Sequence, residues 1–294
     1  MSGGDVDVSV VNNFVGSPLT NFTEATEAEI LNIIKQSPSK SCELDPLPTW
    51  LLKECTSELV PLITDIVNMS LRESLIPTTL KTALIRPLLK KTGLDSDILK
   101  NYRPVSNLTF ISKIIEKVVS GRLNEHMHNN NMYDPLQSAY KEKHSTETAL
   151  IKVQNDILSA LDAGSSSILL MLDLSAAFDT IDHDILLSRL RNLYGISGGA
   201  LDWFRSYLTS RIQRVVIDNS VSGDQELDFG VPQGSVLGPR IYCMYTKPVS
   251  GIIERHGLSY HSYADDTQLY MTIDNSNTTW RSDLARIKLC VNEK

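Results

Sequence analysis

Asp265 and Asp266 stand side by side in Tyr263-Ala264-Asp265-Asp266, inside a run whose apolar residues alternate as in a strand hairpin. A third carboxylate, Asp173, ends the apolar run Ile168-Leu169-Leu170-Met171-Leu172. Between them lies Gly230-Val231-Pro232-Gln233-Gly234-Ser235. Carboxylate oxygens suit hard divalent cations such as magnesium, which prefer oxygen ligands and keep some water. Two such ions about 3.5–4 Å apart can serve a nucleotidyl transfer, one at the attacking 3′-hydroxyl and one at the leaving pyrophosphate. Taken singly, Asp-Asp makes a turn and a strand-end Asp caps the next segment. Taken in order, a strand-end Asp, a Gly-rich loop with Gln and an Asp-Asp hairpin supply the oxygens that this chemistry needs, on rigid elements.

Other residues extend the pattern. Phe178 lies five positions after Asp173. Its plain role is a core aromatic; its chemical role is a steric gate, an aromatic face under the sugar that leaves no room for a 2′-hydroxyl and so selects dNTPs. In Gln233-Gly234, glycine lets the backbone approach a nucleotide and the Gln amide can bond sugar or base. Lys90, Lys91 and Arg103 flank a short strand. Solvated surface charge is their ordinary use; here they are candidates for holding an incoming triphosphate by charge-assisted hydrogen bonds.

The elements that must position these residues follow from the hydrophobic periodicity. Residues 1–22 lack periodicity and are expected to form a flexible leader. Residues 23–75 are expected to be helical, with a capping box at Thr26-x-x-Glu29 and a second helix opened by Asp45-Pro46-Leu47-Pro48. Ala83-Leu84-Ile85 is a strand, Asn101 to Pro104 a loop, and Ser106 the cap of a long helix through Leu123. A helix at 145–162, a strand at 167–174, helices at 183–193 and 199–209, a hairpin at 212–230 and a helix at 235–254 precede the Asp-Asp hairpin at 258–273. A last helix is expected near Asn277. The fold class is α+β, a small antiparallel sheet with helices on one side.

The chain has 294 residues and a formal charge of −7, which steers away from nucleic acid at first sight. The acid is unevenly placed: residues 1–60 carry three basic against nine acidic side chains, residues 61–160 thirteen against ten. Phosphate binding needs only a local basic field. Cys42, Cys55, Cys243 and Cys290 lack metal-ligand spacing and read as free thiols. No apolar run approaches the ~20 residues of a membrane span, so no membrane partner is expected. Nothing in the sequence speaks to oligomeric state.

The motifs resemble the reverse transcriptases of non-LTR (LINE-type) retrotransposons, in the jockey-like and chicken-repeat-like groups. Asn101-Tyr102-Arg103-Pro104-Val105-Ser106-Asn107-Leu108 through Glu116-Lys117 is similar to that family's first fingers block. Gln137-Ser138-Ala139-Tyr140 with His144-Ser145-Thr146-Glu147 is similar to the next, which lies along the template-primer path. Leu172 through His183, Gly230 through Pro239, and Tyr263 through Tyr270 resemble motifs A, B and C.

The resemblance implies a right-hand polymerase with fingers at about 76–166 and palm at about 167–294. It implies RNA-directed DNA synthesis from dNTPs on an RNA template and a DNA primer. Two magnesium ions, or manganese, would be held by Asp173, Asp265 and Asp266 with the Leu174 carbonyl. Gln137, Lys143, Ser145, Thr146 and Tyr263 would meet the template-primer. Cytoplasmic ribonucleoprotein and nucleus are the implied locations. By the same comparison the chain ends inside motif D, at Val291-Asn292-Glu293-Lys294, with the thumb absent. The expectation is therefore a fragment of a longer enzyme. The alternative is a non-catalytic remnant that keeps the fold and binds nucleic acid.

Overall fold

A computed structural model describes residues 14–173, 177–273 and 280–293. Along the chain the described residues form α1 (Glu27–Gln36), α2 (Thr49–Glu54), α3 (Thr56–Arg72), β1 (Thr82–Leu89), β2 (Tyr102–Asn107), α4 (Phe110–Asn129) and α5 (Thr146–Asp162). There follow β3 (Ser166–Leu172), α6 (His183–Asn192), α7 (Gly198–Leu208), β4 (Ile212–Ile217), β5 (Ser220–Val221), β6 (Gln225–Glu226), α8 (Gly238–Arg255), β7 (Ser259–Tyr263), β8 (Asp266–Ile273) and α9 (Trp280–Glu293). This is a mixed α+β chain. It divides into two compact units, each built from two stretches: residues up to 132 with 178–238, and 133–177 with 239–294.

The first unit holds a sheet ordered β2-β1-β4-β5, with β6 also pairing β4. Two expectations need correction here. The described residues form two sheets, and this one includes a parallel pair, β1 with β4, joined by the long connection that parallel strands require. Residues 102–104 are not a loop: β2 pairs antiparallel with β1, with Pro104 opposite Pro87. Proline is tolerated there because β2 is an edge strand and Pro87 lies beyond the β1–β4 pairing. Ser106 therefore belongs to β2, and Thr109 caps α4 by accepting the Ser112 N–H at 3.2 Å.

Thr26 does cap α1, accepting the Glu29 N–H at 3.2 Å. The core of this unit is aromatic. Trp203 stacks on Tyr207 at 5.5 Å, meets Phe22 edge-on at 5.6 Å, and donates its indole N–H to Ser70 Oγ at 3.1 Å. Phe22 and the Leu19–Ile196 bridge give the described end of the leader fixed contacts.

The second unit holds the sheet β3-β8-β7, antiparallel throughout. Ile168, Leu170 and Leu172 of β3 pack with Leu258, Tyr260, Leu269, Met271, Ile253 and Cys290. Ser145 opens α5, as expected, and it does so through a capping box that Thr148 and not a Glu or Gln completes. Among the described residues no helix is long and apolar enough to cross a membrane.

Asp134 ties this unit together. It accepts Lys247 Nζ at 3.1 Å, the Tyr260 hydroxyl at 3.0 Å and the Leu136 N–H at 2.9 Å. Burial pushes its carboxyl up, but the Leu136 N–H, Lys247 and Tyr260 together outweigh burial and hold it below the usual carboxylate range. A carboxyl depressed by folding stabilises the fold above its unfolded value of about 4, and that contribution is lost as pH falls through the folded value. Thermal unfolding followed against pH should therefore show a steeper acid loss for the native chain than for Asp134→Asn.

Candidate active site

The β3–β8 register builds the carboxylate corner. Leu172 pairs with Thr267, so one further step along the same register sets Asp173 opposite Asp266. On the other side of β8, Tyr263 pairs with Asp266 and closes the hairpin through Ala264 and Asp265. Ala264 takes a left-handed conformation with φ 57° to make that reversal. Burial, then the charges of Asp265 and Asp173, push the Asp266 carboxyl above its usual range. Three carboxylates from two chain segments thus share one field, and among the described residues no lysine, arginine or histidine forms an ion pair with them.

Carboxylates are hard oxygen donors, and the like charge that Asp265 and Asp173 bring to Asp266 is of the kind a divalent cation relieves. Among the described residues no group of three or more His, Cys, Asp or Glu side chains is gathered closely enough to hold a metal ion. Leu174, expected to lend a carbonyl, lies outside the described residues.

Around the hairpin stand residues that sequence reasoning did not single out. The Tyr140 phenol is pushed up by burial, and then by Cys243, Asp265 and Tyr263. Tyr242 is buried and pushed up by burial and then by Asp265, with Cys243, Tyr140 and Asp266 adding to it. Sequence spacing gave no sign that Tyr140 and Tyr242, about a hundred residues apart, would meet the same carboxylates. Of the expected template-primer residues, Tyr263 adjoins the hairpin and Lys143 is exposed, left-handed at φ 62°. Ser145 is engaged as the α5 cap, Thr146 is exposed beside it, and Gln137 bonds the hairpin backbone.

The other unit holds Phe178 and the 230–235 loop. The Phe178 carbonyl accepts the Val231 N–H at 2.9 Å and the Ile181 carbonyl accepts the Gly230 N–H at 2.7 Å. Gly230 is required at that seam: at φ 81°, an added Cβ would stand 2.6 Å from the Phe178 oxygen. Phe178 and Gln233 are thereby fixed on one stitched segment. The Ser106 N–H bonds the Gln233 carbonyl at 2.8 Å, while Gln233 Oε1 is buried without a partner. A cleft of about 410 Å³ opens beside them, lined by Asp179, Arg211, Gln233, Pro104 and Ile85 among others. Lys90, Lys91 and Arg103 are exposed at one end of the β1–β2 hairpin, where the Lys90 N–H bonds the Asn101 carbonyl at 2.8 Å.

Glu116 is a second residue whose role the sequence hid. It is fully buried on α4, and its Oε2 accepts the Val236 N–H at 2.6 Å and the Leu237 N–H at 3.0 Å. Burial pushes its carboxyl up, against the pull of the Leu237 N–H, the Arg211 charge and the Val236 N–H. The loop after Gln233 thus hangs on a buried carboxyl. The available signal was a charge set among apolar neighbours, Ile114, Ile115 and Val118.

The chain belongs to the reverse transcriptase (RNA-dependent DNA polymerase) family, which matches residues 89–292. Its relatives are polymerases of mobile elements, in line with the resemblance to jockey-like non-LTR retrotransposons. It is 32% identical over 224 residues to a probable RNA-directed DNA polymerase from transposon BS of Drosophila melanogaster, covering 74% of this chain and 24% of the relative. It is 30% identical over 229 residues to a probable RNA-directed DNA polymerase from transposon X-element of the same species, covering 78% and 25%. It is 28% identical over 253 residues to the RNA-directed DNA polymerase from mobile element jockey, covering 84% and 27%. The chain thus spans about a quarter of the length of these relatives.

The Glu116 contacts generate a test. Glu116→Gln keeps an acceptor for both N–H groups, whereas Glu116→Leu strands them. Each stranded buried donor costs about 1–3 kcal/mol. Urea unfolding should show Glu116→Leu destabilised by several times the change seen in Glu116→Gln.

Proposed function

We propose that this chain carries the fingers and palm of an RNA-directed DNA polymerase of a jockey-like non-LTR retrotransposon, extending a DNA primer on an RNA template with dNTPs. The observation that carries this reading is the β3–β8 register, which ends at Leu172 opposite Thr267 and so brings the next residue, Asp173, into the field of Asp266, inside the stretch matched by the family. On this reading residues 23–75 precede the fingers, residues from about 76 to 166 supply the fingers, and those from about 167 onward the palm.

Asp173, Asp265 and Asp266, with the Leu174 carbonyl, would hold two magnesium ions. When bound, such ions supply Lewis acidity at the primer 3′-oxygen and at the leaving pyrophosphate. The protein's own work is positioning. Phe178 excludes a 2′-hydroxyl from the sugar site. Gln233 and Gly234 let the backbone and one amide approach the nucleotide. Lys90, Lys91 and Arg103 meet its phosphates. Lys143, Thr146 and Tyr263 line the path of the template-primer.

Primer extension on an RNA template with magnesium tests the reading. Extension is expected with dNTPs and not with NTPs, and should fall to background in Asp265→Asn, Asp266→Asn. Phe178→Val should admit NTPs while leaving dNTP extension measurable. Extension that persists without both carboxylates would refute the assignment. A folded chain that binds template-primer but never extends it would favour a non-catalytic role.

A further inference from the structure

Gln137 sits where the segment before α5 runs beside the end of β7. The Leu136 carbonyl accepts the Ser262 N–H at 2.9 Å, and the Ser262 carbonyl accepts the Ser138 N–H at 2.9 Å. These two bonds make a parallel bridge between Gln137 and Ser262. Ser138 Oγ lies 2.9 Å from His261 Nε2, a third tie between the same two segments. The Gln137 backbone is therefore fixed, and its side chain reaches over the reversal that follows Tyr263.

There the amide engages the backbone of one residue from both sides. Gln137 Oε1 accepts the Ala264 N–H at 3.0 Å, and Gln137 Nε2 donates to the Ala264 carbonyl at 3.3 Å. The same Oε1 also accepts the Ala139 N–H at 2.9 Å. Among side chains, Asn and Gln carry an amide that offers donor and acceptor side by side, in the manner of a peptide group. Ala264 is the residue that needs such a hold. It is left-handed at φ 57° without being glycine, a conformation that persists where the surroundings fix it. It also stands directly before Asp265 and Asp266, whose charges repel one another and Asp173.

We propose that Gln137 is a positioning residue that clamps the Ala264 reversal and so sets the direction of Asp265 and Asp266. This inference rests on the reading of those two carboxylates as catalytic. It differs from the sequence-based expectation that Gln137 contacts template-primer, because the clamp occupies both ends of the amide.

Two variants of the full 294-residue chain test it. Gln137→Met keeps the length of the side chain and removes all three bonds; Gln137→Glu keeps an acceptor for the Ala264 and Ala139 N–H groups but loses the donor to the Ala264 carbonyl. Hydrogen exchange is followed on the peptide spanning 259–268, alongside the magnesium dependence of primer extension and the affinity for template-primer. In Gln137→Met, exchange should accelerate at the hairpin while the β3 strand stays protected. The magnesium concentration for half-maximal extension should rise by about tenfold or more, as for the loss of other supports behind metal ligands. Template-primer affinity should hold. Gln137→Glu, which keeps the acceptor and loses the Nε2 donor, should accelerate hairpin exchange less than Gln137→Met.

Unchanged exchange with weakened template-primer binding would overturn the proposal and make Gln137 a nucleic-acid contact. Faster exchange through the whole sheet would overturn it in favour of a general packing role. Faster hairpin exchange with an unmoved magnesium response would also overturn it, since the clamp would then not govern the carboxylates. If the native chain does not extend primers at all, the polymerase reading fails, and the clamp is decided by exchange alone.

Discussion

The register between β3 and β8 is the constraint on which the second unit depends. Ser166 pairs with Ile273 and Leu172 with Thr267, and the same register carries Asp173 to Asp266. Side chains alternate faces along a strand, so a slip of one residue turns every one of them to the opposite side. Such a slip would lift Ile168, Leu170 and Leu172 off the cluster formed by Leu269, Met271 and Tyr260. Burial of those aliphatic side chains therefore also sets where the carboxylates go. The core chooses the register, and the register places acid against acid at the end of the sheet.

That placement is costly on its own terms. Like charges close together disfavour their ionised forms, and Asp266 bears this through both Asp265 and Asp173. The opposing forces are geometric. Antiparallel pairing holds both flanks of Asp266, and the Gln137 amide holds the turn. In the first unit the equivalent holding is done by backbone: Phe178 is bonded to Val231, Ile181 to Gly230, and Ser106 to Gln233. A glycine at Gly230 permits the close seam, and the buried Glu116 secures the N–H groups that follow the loop. Neither arrangement needs long-range electrostatics to select it.

Much of this was legible in the sequence, for physical reasons that differ by element. The Asp-Asp hairpin was readable because period-two alternation on both sides of a two-residue reversal has few other meanings. The α5 cap was readable because Ser-Thr-Glu before an apolar stripe satisfies the first N–H groups of a helix. The β2 strand was missed because Pro104 suggested a loop, and only its edge position makes it acceptable. The α4 cap was placed at Ser106, three residues early, since Ser and Thr are equivalent caps and pairing with β1 decides between them. Gln137, Glu116, Tyr140 and Tyr242 were not assigned their observed surroundings. Their surroundings arise from contacts between segments distant in sequence, from about 20 to more than 120 residues apart, and no local period reports those.

The most direct test of the account is manganese binding to the folded chain, read by electron paramagnetic resonance. The register predicts that Asp173→Asn weakens binding as Asp266→Asn does, although these residues lie far apart in sequence, and that Leu172→Asp does not restore the Asp173→Asn variant. Binding that is lost with Asp266→Asn but untouched by Asp173→Asn would contradict it, because the two carboxylates would then not share a site.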